Sequence, residues 1–148
     1  MKEILRVLSR SEAETKKFAE VFAKEILKLK QKTAVVVGLE GELGAGKTTF
    51  AKGFAKGLGI KEEMKSPTFI LMRVFRSPTS RGSRTSGRHF FHIDAFRAEL
   101  DFSEFLKSPR NILLIEWSDK VRKIMPKKYF QFRFKHIAKN SREIRLYA

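Results

Sequence analysis

The stretch Gly41-Glu42-Leu43-Gly44-Ala45-Gly46-Lys47-Thr48 constrains this chain most, because it pins a strand, a tight turn and a helix into one order. Before it, Thr33 to Leu39 is a β-branched run, apolar on both faces and too short for a helix, as expected of a central parallel strand. After it, a helical pattern runs from about Lys47 to Leu58. Gly41 and Gly46, with four residues between them and Lys47 and Thr48 behind them, form the Walker A pattern. Glycines let the backbone curl so that successive N–H groups point at a phosphate, and the helix N-terminus adds partial positive charge. Lys47 is then placed to reach the β and γ phosphates, and the Thr48 hydroxyl to meet Mg²⁺.

The rest of the chain supplies the layers around this unit. Glu3 to Leu8 reads as a short strand, and Ser11 with Glu14 forms a capping box for an amphipathic helix running to about Lys30. Phe18, Val21, Phe22, Ile26 and Leu29 fall on one stripe of it, with Glu12–Lys16 and Glu20–Lys24 as i, i+4 pairs on the exposed side. Thr68 to Phe75 and Arg88 to Asp94 read as strands, joined by a Ser/Thr/Gly-rich segment, 76–88, with four arginines and no acid that predicts a mobile basic loop. Ala95 to Lys107 reads as a helix broken around Asp101, and Asn111 to Trp117 as a second fully apolar strand. Tyr129 to Ile137 alternates and can pair with Arg142 to Tyr147 through the Lys139-Asn140-Ser141 turn. The pattern predicts one three-layer α/β domain over 1–148, P-loop NTPase-like, with a mixed, mostly parallel sheet and a C-terminal antiparallel pair.

Composition narrows the chemistry. No apolar run approaches the ~20 residues of a membrane span and the N-terminus lacks an uninterrupted apolar signal core, so a cytoplasmic chain with no membrane association is expected. The absence of cysteine excludes disulfides and thiolate metal sites, and His89, His92 and His136 are scattered, which leaves a hard, oxygen-bound metal ion. The net charge is +16, of which residues 76–88 carry +4 and residues 120–148 carry +9. Such a field suits nucleic acid, acidic proteins or anionic lipid without distinguishing them, and a merely solvated basic face is the plain alternative.

A phosphate-binding turn needs an acid to hold the metal or orient water. Ile112-Leu113-Leu114-Ile115 delivers Glu116 at a strand end in Walker B fashion, and Phe90-Phe91-His92-Ile93-Asp94 delivers Asp94 in the same way, so that the two carboxylates could converge on one Mg²⁺. Either acid could instead end its strand without function, and Asp94 could cap the segment that follows. Ser66-Pro67-Thr68 lies where a switch threonine sensing the γ phosphate is often found, although alone it is only a turn. Taken singly, Arg97 reads as a surface partner of Glu99 or Asp101, His92 as a satisfied edge-strand residue, and Trp117 as core.

Taken together and in order, these segments resemble the bacterial TsaE (YjeE) family of ATPases of tRNA threonylcarbamoyladenosine biosynthesis. Gly41 to Phe50 is similar to the family's P-loop, Lys65-Ser66-Pro67-Thr68-Phe69 to its switch-like segment, His92-Ile93-Asp94-Ala95-Phe96-Arg97 to its His-x-Asp-x-Tyr-Arg motif, and Ile115-Glu116-Trp117 to its Walker B segment. The resemblance spans Ser11 to Arg142 and implies slow, Mg²⁺-dependent ATP hydrolysis in support of a TsaD-like transferase and its TsaB-like partner, with tRNA met through that complex. By motif it implies that Glu42, Leu43, Gly44, Ala45, Gly46, Lys47, Thr48 and Thr49 bind the nucleotide, with Thr68 as the switch residue. Thr48 and Glu116 would hold Mg²⁺, Asp94 would assist hydrolysis from the metal's second side, Trp117 would lie beside the nucleotide, and Glu12 and Arg142 would flank the adenine. Phe96 stands where the family has tyrosine, the segment between Arg97 and Asn111 is short, and the 76–88 insertion is unusually basic, so that Arg76, Arg81, Arg84 and Arg88 are candidates for tRNA phosphates.

A small-molecule or nucleoside kinase, with the arginine-rich loop as a phosphate lid, is the alternative within P-loop proteins. A basic RNA-binding module with a vestigial P-loop is the alternative outside catalysis. No Asn-Lys-x-Asp guanine reader occurs, which disfavours a GTPase.

Overall fold

The computed structural model describes residues 1–61, 72–76, 88–96 and 101–148. The expectations for Thr68, for Arg97 and for most of the basic loop, Arg81 and Arg84 included, lie outside those residues.

Seven strands form one sheet in the order β1-β7-β6-β2-β5-β4-β3. They are β1 (Glu3–Ser9), β2 (Val35–Gly41), β3 (Met72–Arg76), β4 (His89–Asp94), β5 (Asn111–Glu116), β6 (Phe130–Ala138) and β7 (Ser141–Tyr147). The four strands β6, β2, β5 and β4 are mutually parallel, β3 and β7 run against them, and β1 pairs antiparallel with β7, so five of the seven share one direction. This is the mixed, mostly parallel sheet with a C-terminal antiparallel pair that the sequence predicts. The buried central strands β2 and β5 lie side by side, with Leu39 opposite Glu116, and Asp94 of β4 is opposite Glu116 from the other side. The register therefore brings Gly41, Glu116 and Asp94 to one edge of the sheet.

Helices α1 (Glu12–Ile26) and α2 (Lys47–Gly57) cover one face. Ser11 caps α1 by accepting from the Glu14 amide at 3.1 Å, but Glu14 reaches back to the Arg10 amide (2.7 Å), one residue earlier than a reciprocal box would place it. The helix stops at Ile26, short of Lys30, and Arg88 explains where its end goes: Nη2 donates to the Leu27 and Leu29 carbonyls at 3.4 and 3.1 Å. Arg88, a candidate for RNA phosphates, is thus a clamp on a helix end. Val21 is half exposed and off the stripe, whereas Phe18 and Phe22 pack onto Phe50, Phe54, Phe130 and Phe132. Gly53 and Gly57 permit this closeness, since a Cβ at either would collide with the α1 backbone at Lys16 or Glu20.

The opposite face carries a thinner layer of two 3₁₀ segments, Ser103–Leu106 and Ser118–Ile124. Phe102, Phe105, Leu106 and Val121 pack there on Val36, Phe91, Ile93, Leu113 and Ile115. The broken helix expected over Ala95–Lys107 is represented among the described residues by the first of these alone. Among the described residues no helix is long and apolar enough to cross a membrane.

Candidate active site

At the sheet edge where β2, β4 and β5 end, the turn from Gly41 to Gly46 opens onto a cleft of about 620 Å³. Gly44 (φ 80°) and Gly46 (φ 108°) take left-handed conformations that bulkier residues adopt only with strain. A Cβ at Gly44 would meet nothing within 4 Å, so the turn is open toward the cleft, whereas one at Gly46 would lie 2.6 Å from Arg142 Nη1. Gly46 is the N-cap of α2 and no side chain caps it, which leaves the first-turn amides for an anion.

Lys47 is almost fully buried, at 5% exposure. Its Nζ donates to the carbonyl of Gly41 and, at 2.8 Å, to that of Glu42, and it sits 3.8 Å from the centroid of the Trp117 ring. Burial holds its pKa below the usual lysine value, and the carboxylates of Glu116, Asp119, Asp94 and Glu42 oppose that shift. Trp117 reaches this position with φ 62° and ψ 42°, a left-handed backbone costing about 1–3 kcal/mol for a bulky residue, and its ring meets that of Phe96 at a 45° tilt, centroids 4.7 Å apart. Trp117 packs against the core layer of Val36, Ile93 and Ile115 as expected, and together with Phe96 it also lines the cleft.

The acid side is a chain of buried contacts. Thr48 Oγ1, in the first turn of α2, donates to Glu116 Oε1 at 3.2 Å, and Glu116 Oε2 shares a 2.6 Å hydrogen bond with His92 Nε2. Glu116 and His92 are 4% and 1% exposed. His92 stands on an interior strand, so the edge-strand expectation for it fails. Asp94 is buried, and its Oδ1 accepts from the Phe96 amide two residues on at 2.9 Å; whether it caps a helix falls on residues outside those described.

Leu43, Gly44, Gly46, Lys47, Thr48, Thr49, Asp94, Glu116, Trp117, Glu12 and Arg142 therefore share one cleft. Glu42 joins through its backbone carbonyl, which also accepts from Ala45 N, and Ala45 itself turns into the core. Glu12 faces the cleft and is absent from the ion pairs among the described residues, so the expected Glu12–Lys16 pair is not formed, while Glu20–Lys24 is, at 3.2 Å. Sequence reasoning missed His136, Lys139 and Asn140, which line the far wall from the β6–β7 hairpin, and Asp119, which faces Lys47 electrostatically. The hairpin was readable as a turn. Its place beside the cleft depends on β6 inserting next to β2, a pairing that no local pattern encodes.

The donor set fits a hard cation held jointly with a ligand. Among the described residues no three His, Cys, Asp or Glu side chains form a self-sufficient metal cage. What is present is a hydroxyl and a carboxylate 3.2 Å apart with a second carboxylate on the neighbouring strand end, the sparse oxygen set that suits Mg²⁺ completed by phosphate and water.

The family model described as "Threonylcarbamoyl adenosine biosynthesis protein TsaE" matches residues 9–144. A protein of Haemophilus influenzae named tRNA threonylcarbamoyladenosine biosynthesis protein TsaE is 35% identical over 116 residues, covering 74% of this chain and 68% of that protein. One of the same name from Treponema pallidum is 34% identical over 146 residues, covering 95% and 98%. The crystal structure of Bacillus subtilis YdiB superposes with a TM-score of 0.76 at 28% identity, over 99% of this chain and 86% of that one.

Proposed function

The chain belongs to the TsaE family, whose members take part in threonylcarbamoyladenosine biosynthesis on tRNA, and on that premise we propose that it is a Mg²⁺-dependent ATPase supporting a TsaD-like transferase and its TsaB-like partner in the cytoplasm. The observation that carries the reading is the Thr48–Glu116 contact, which joins the uncapped start of α2 to the end of β5 across the mouth of the phosphate turn.

In this reading the α2 amides and the Gly44–Gly46 turn hold the phosphate chain. Lys47 exchanges the Gly41 and Glu42 carbonyls for phosphate oxygens, a trade its depressed pKa and near-complete burial favour because an anion supplies the charge that burial denies it. Thr48 and Glu116 hold Mg²⁺, which when bound supplies Lewis-acid stabilisation of the charge developing on the transferred phosphoryl group. Asp94, with one oxygen committed to the Phe96 amide, keeps the other available to orient the attacking water. Glu12 and Arg142, on the far wall from β4 and β5, flank the base.

Phosphate release from Mg-ATP by the purified chain, alone and with the TsaD-like and TsaB-like proteins, tests the reading. Turnover that the partners stimulate and that Glu116→Ala abolishes is expected. A phosphorylated acceptor in place of free phosphate would indicate a kinase instead.

A further inference from the structure

We propose that His92 is a positioning residue for the acid site, acting on Glu116 and through it on the Thr48 hydroxyl; the inference rests on the nucleotide-site reading above. A carboxylate oxygen can only accept, so in the 2.6 Å contact the imidazole Nε2 carries the proton and donates it to Glu116 Oε2. The other oxygen, Oε1, accepts from Thr48 Oγ1. The two oxygens of Glu116 are therefore divided: one is tied down inside the protein, and one shares its hydrogen bond with the first turn of α2.

Two consequences follow from this division. First, a glutamate has three rotatable torsions, and with Oε2 held the carboxylate plane is fixed while Oε1 is turned toward the cleft. Second, the Thr48 hydroxyl hydrogen points at Oε1, so the lone pairs of Thr48 Oγ1 point away from Glu116, free to meet a cation. His92 thus orients, two bonds away, the atom best placed to ligate it. The imidazole is well held for such a role. It is 1% exposed and lies near-parallel to the Phe90 ring (8°, centroids 6.3 Å apart), and since its Nδ1 has no hydrogen-bond partner among the described residues, the contact to Glu116 is its one polar tether there. A histidine and a glutamate together in this interior are a poor choice for stability alone, since apolar residues of like volume would avoid the cost of burying a carboxylate.

The test uses the full chain and two substitutions. His92→Gln keeps a donor at the reach of Nε2, and His92→Leu removes it. Calorimetry of ATP with and without Mg²⁺ measures how much the metal tightens binding. Both variants are expected to bind ATP alone as wild type does, because those contacts belong to the P-loop. In His92→Leu the Mg²⁺-dependent gain should fall by about 10–100-fold, the usual loss when an outer partner of a metal ligand is removed, and His92→Gln should restore most of it. A gain undiminished in His92→Leu, or a His92→Gln variant as poor as His92→Leu, overturns the proposal. If His92→Leu fails to fold, the result for His92→Gln and ¹⁵N spectra of wild-type histidine still decide: a proton on Nε2 of His92 is expected, and one on Nδ1 alone overturns it. Wild type that binds Mg-ATP with a normal gain but releases no phosphate refutes the ATPase reading and leaves these outcomes intact.

Discussion

On its α2 side the cleft is lined by backbone, with Gly44 and Gly46 in left-handed conformations and the first amides of a helix that no side chain caps. On its β4–β5 side it is lined by side chains that hold one another, Thr48 to Glu116 to His92, with Asp94 alongside. The first wall is made by one contiguous turn and depends on conformation. The second is assembled from three elements and depends on register. The two walls should therefore fail differently.

The largest expected effect comes from removing the charge at either wall. Lys47→Ala and Glu116→Ala should each lower ATP turnover on the order of 10²-fold or more, but Lys47→Ala should also weaken ATP binding without metal, which Glu116→Ala should spare. Calorimetry with and without Mg²⁺ separates them, and identical losses would erase the distinction between the walls.

Next in size are the glycines. Gly46→Ala combines a left-handed backbone with a clash against Arg142 and should cost about 1–3 kcal/mol or more along with ATP affinity. Gly44→Ala meets no atom and should cost only the conformational part. Denaturant melts of the two variants test this ordering.

Arg88→Ala is the control away from both walls. Losing the clamp on the end of α1 should cost about 1–2 kcal/mol of stability and leave Mg-ATP affinity at the wild-type value. Loss of RNA binding with no loss of stability would restore Arg88 as a phosphate contact.

The smallest effect is in pH. Burial lowers the Lys47 pKa in the folded protein, so between that value and the ordinary lysine range the unfolded chain binds more protons and stability rises with pH. Wild type should gain on Lys47→Met as pH is raised from about 7 toward about 10 in denaturation experiments. A relative loss would contradict the assignment of the shift to burial.

The contrast between the walls is also the contrast between what the sequence made legible and what it did not. The turn from Gly41 to Lys47 is contiguous, so its left-handed glycines and its place between β2 and α2 could be read from the sequence directly. Apolar runs that cannot be amphipathic marked β2 and β5 as central strands, and with them the strand end that carries Glu116. The sequence marked His92 only as a satisfied edge-strand residue; that its strand is interior and its ring meets Glu116 depends on the parallel β4–β5 register, a relation between segments more than twenty residues apart. Glu12 and Arg142 were reached through resemblance alone, since nothing local distinguishes them from surface charges. The end of α1 was misjudged for a similar reason, because the carbonyls beyond Ile26 are satisfied by Arg88 from across the fold and helix continuation was not needed.

Isothermal titration of Mg-ATP into the nucleotide-free protein tests the central claim most directly. One saturable site per chain is expected, lost in Lys47→Ala and deprived of its metal dependence in Glu116→Ala. Binding that survives Lys47→Ala undiminished, or no heat with any nucleoside triphosphate, would contradict the account.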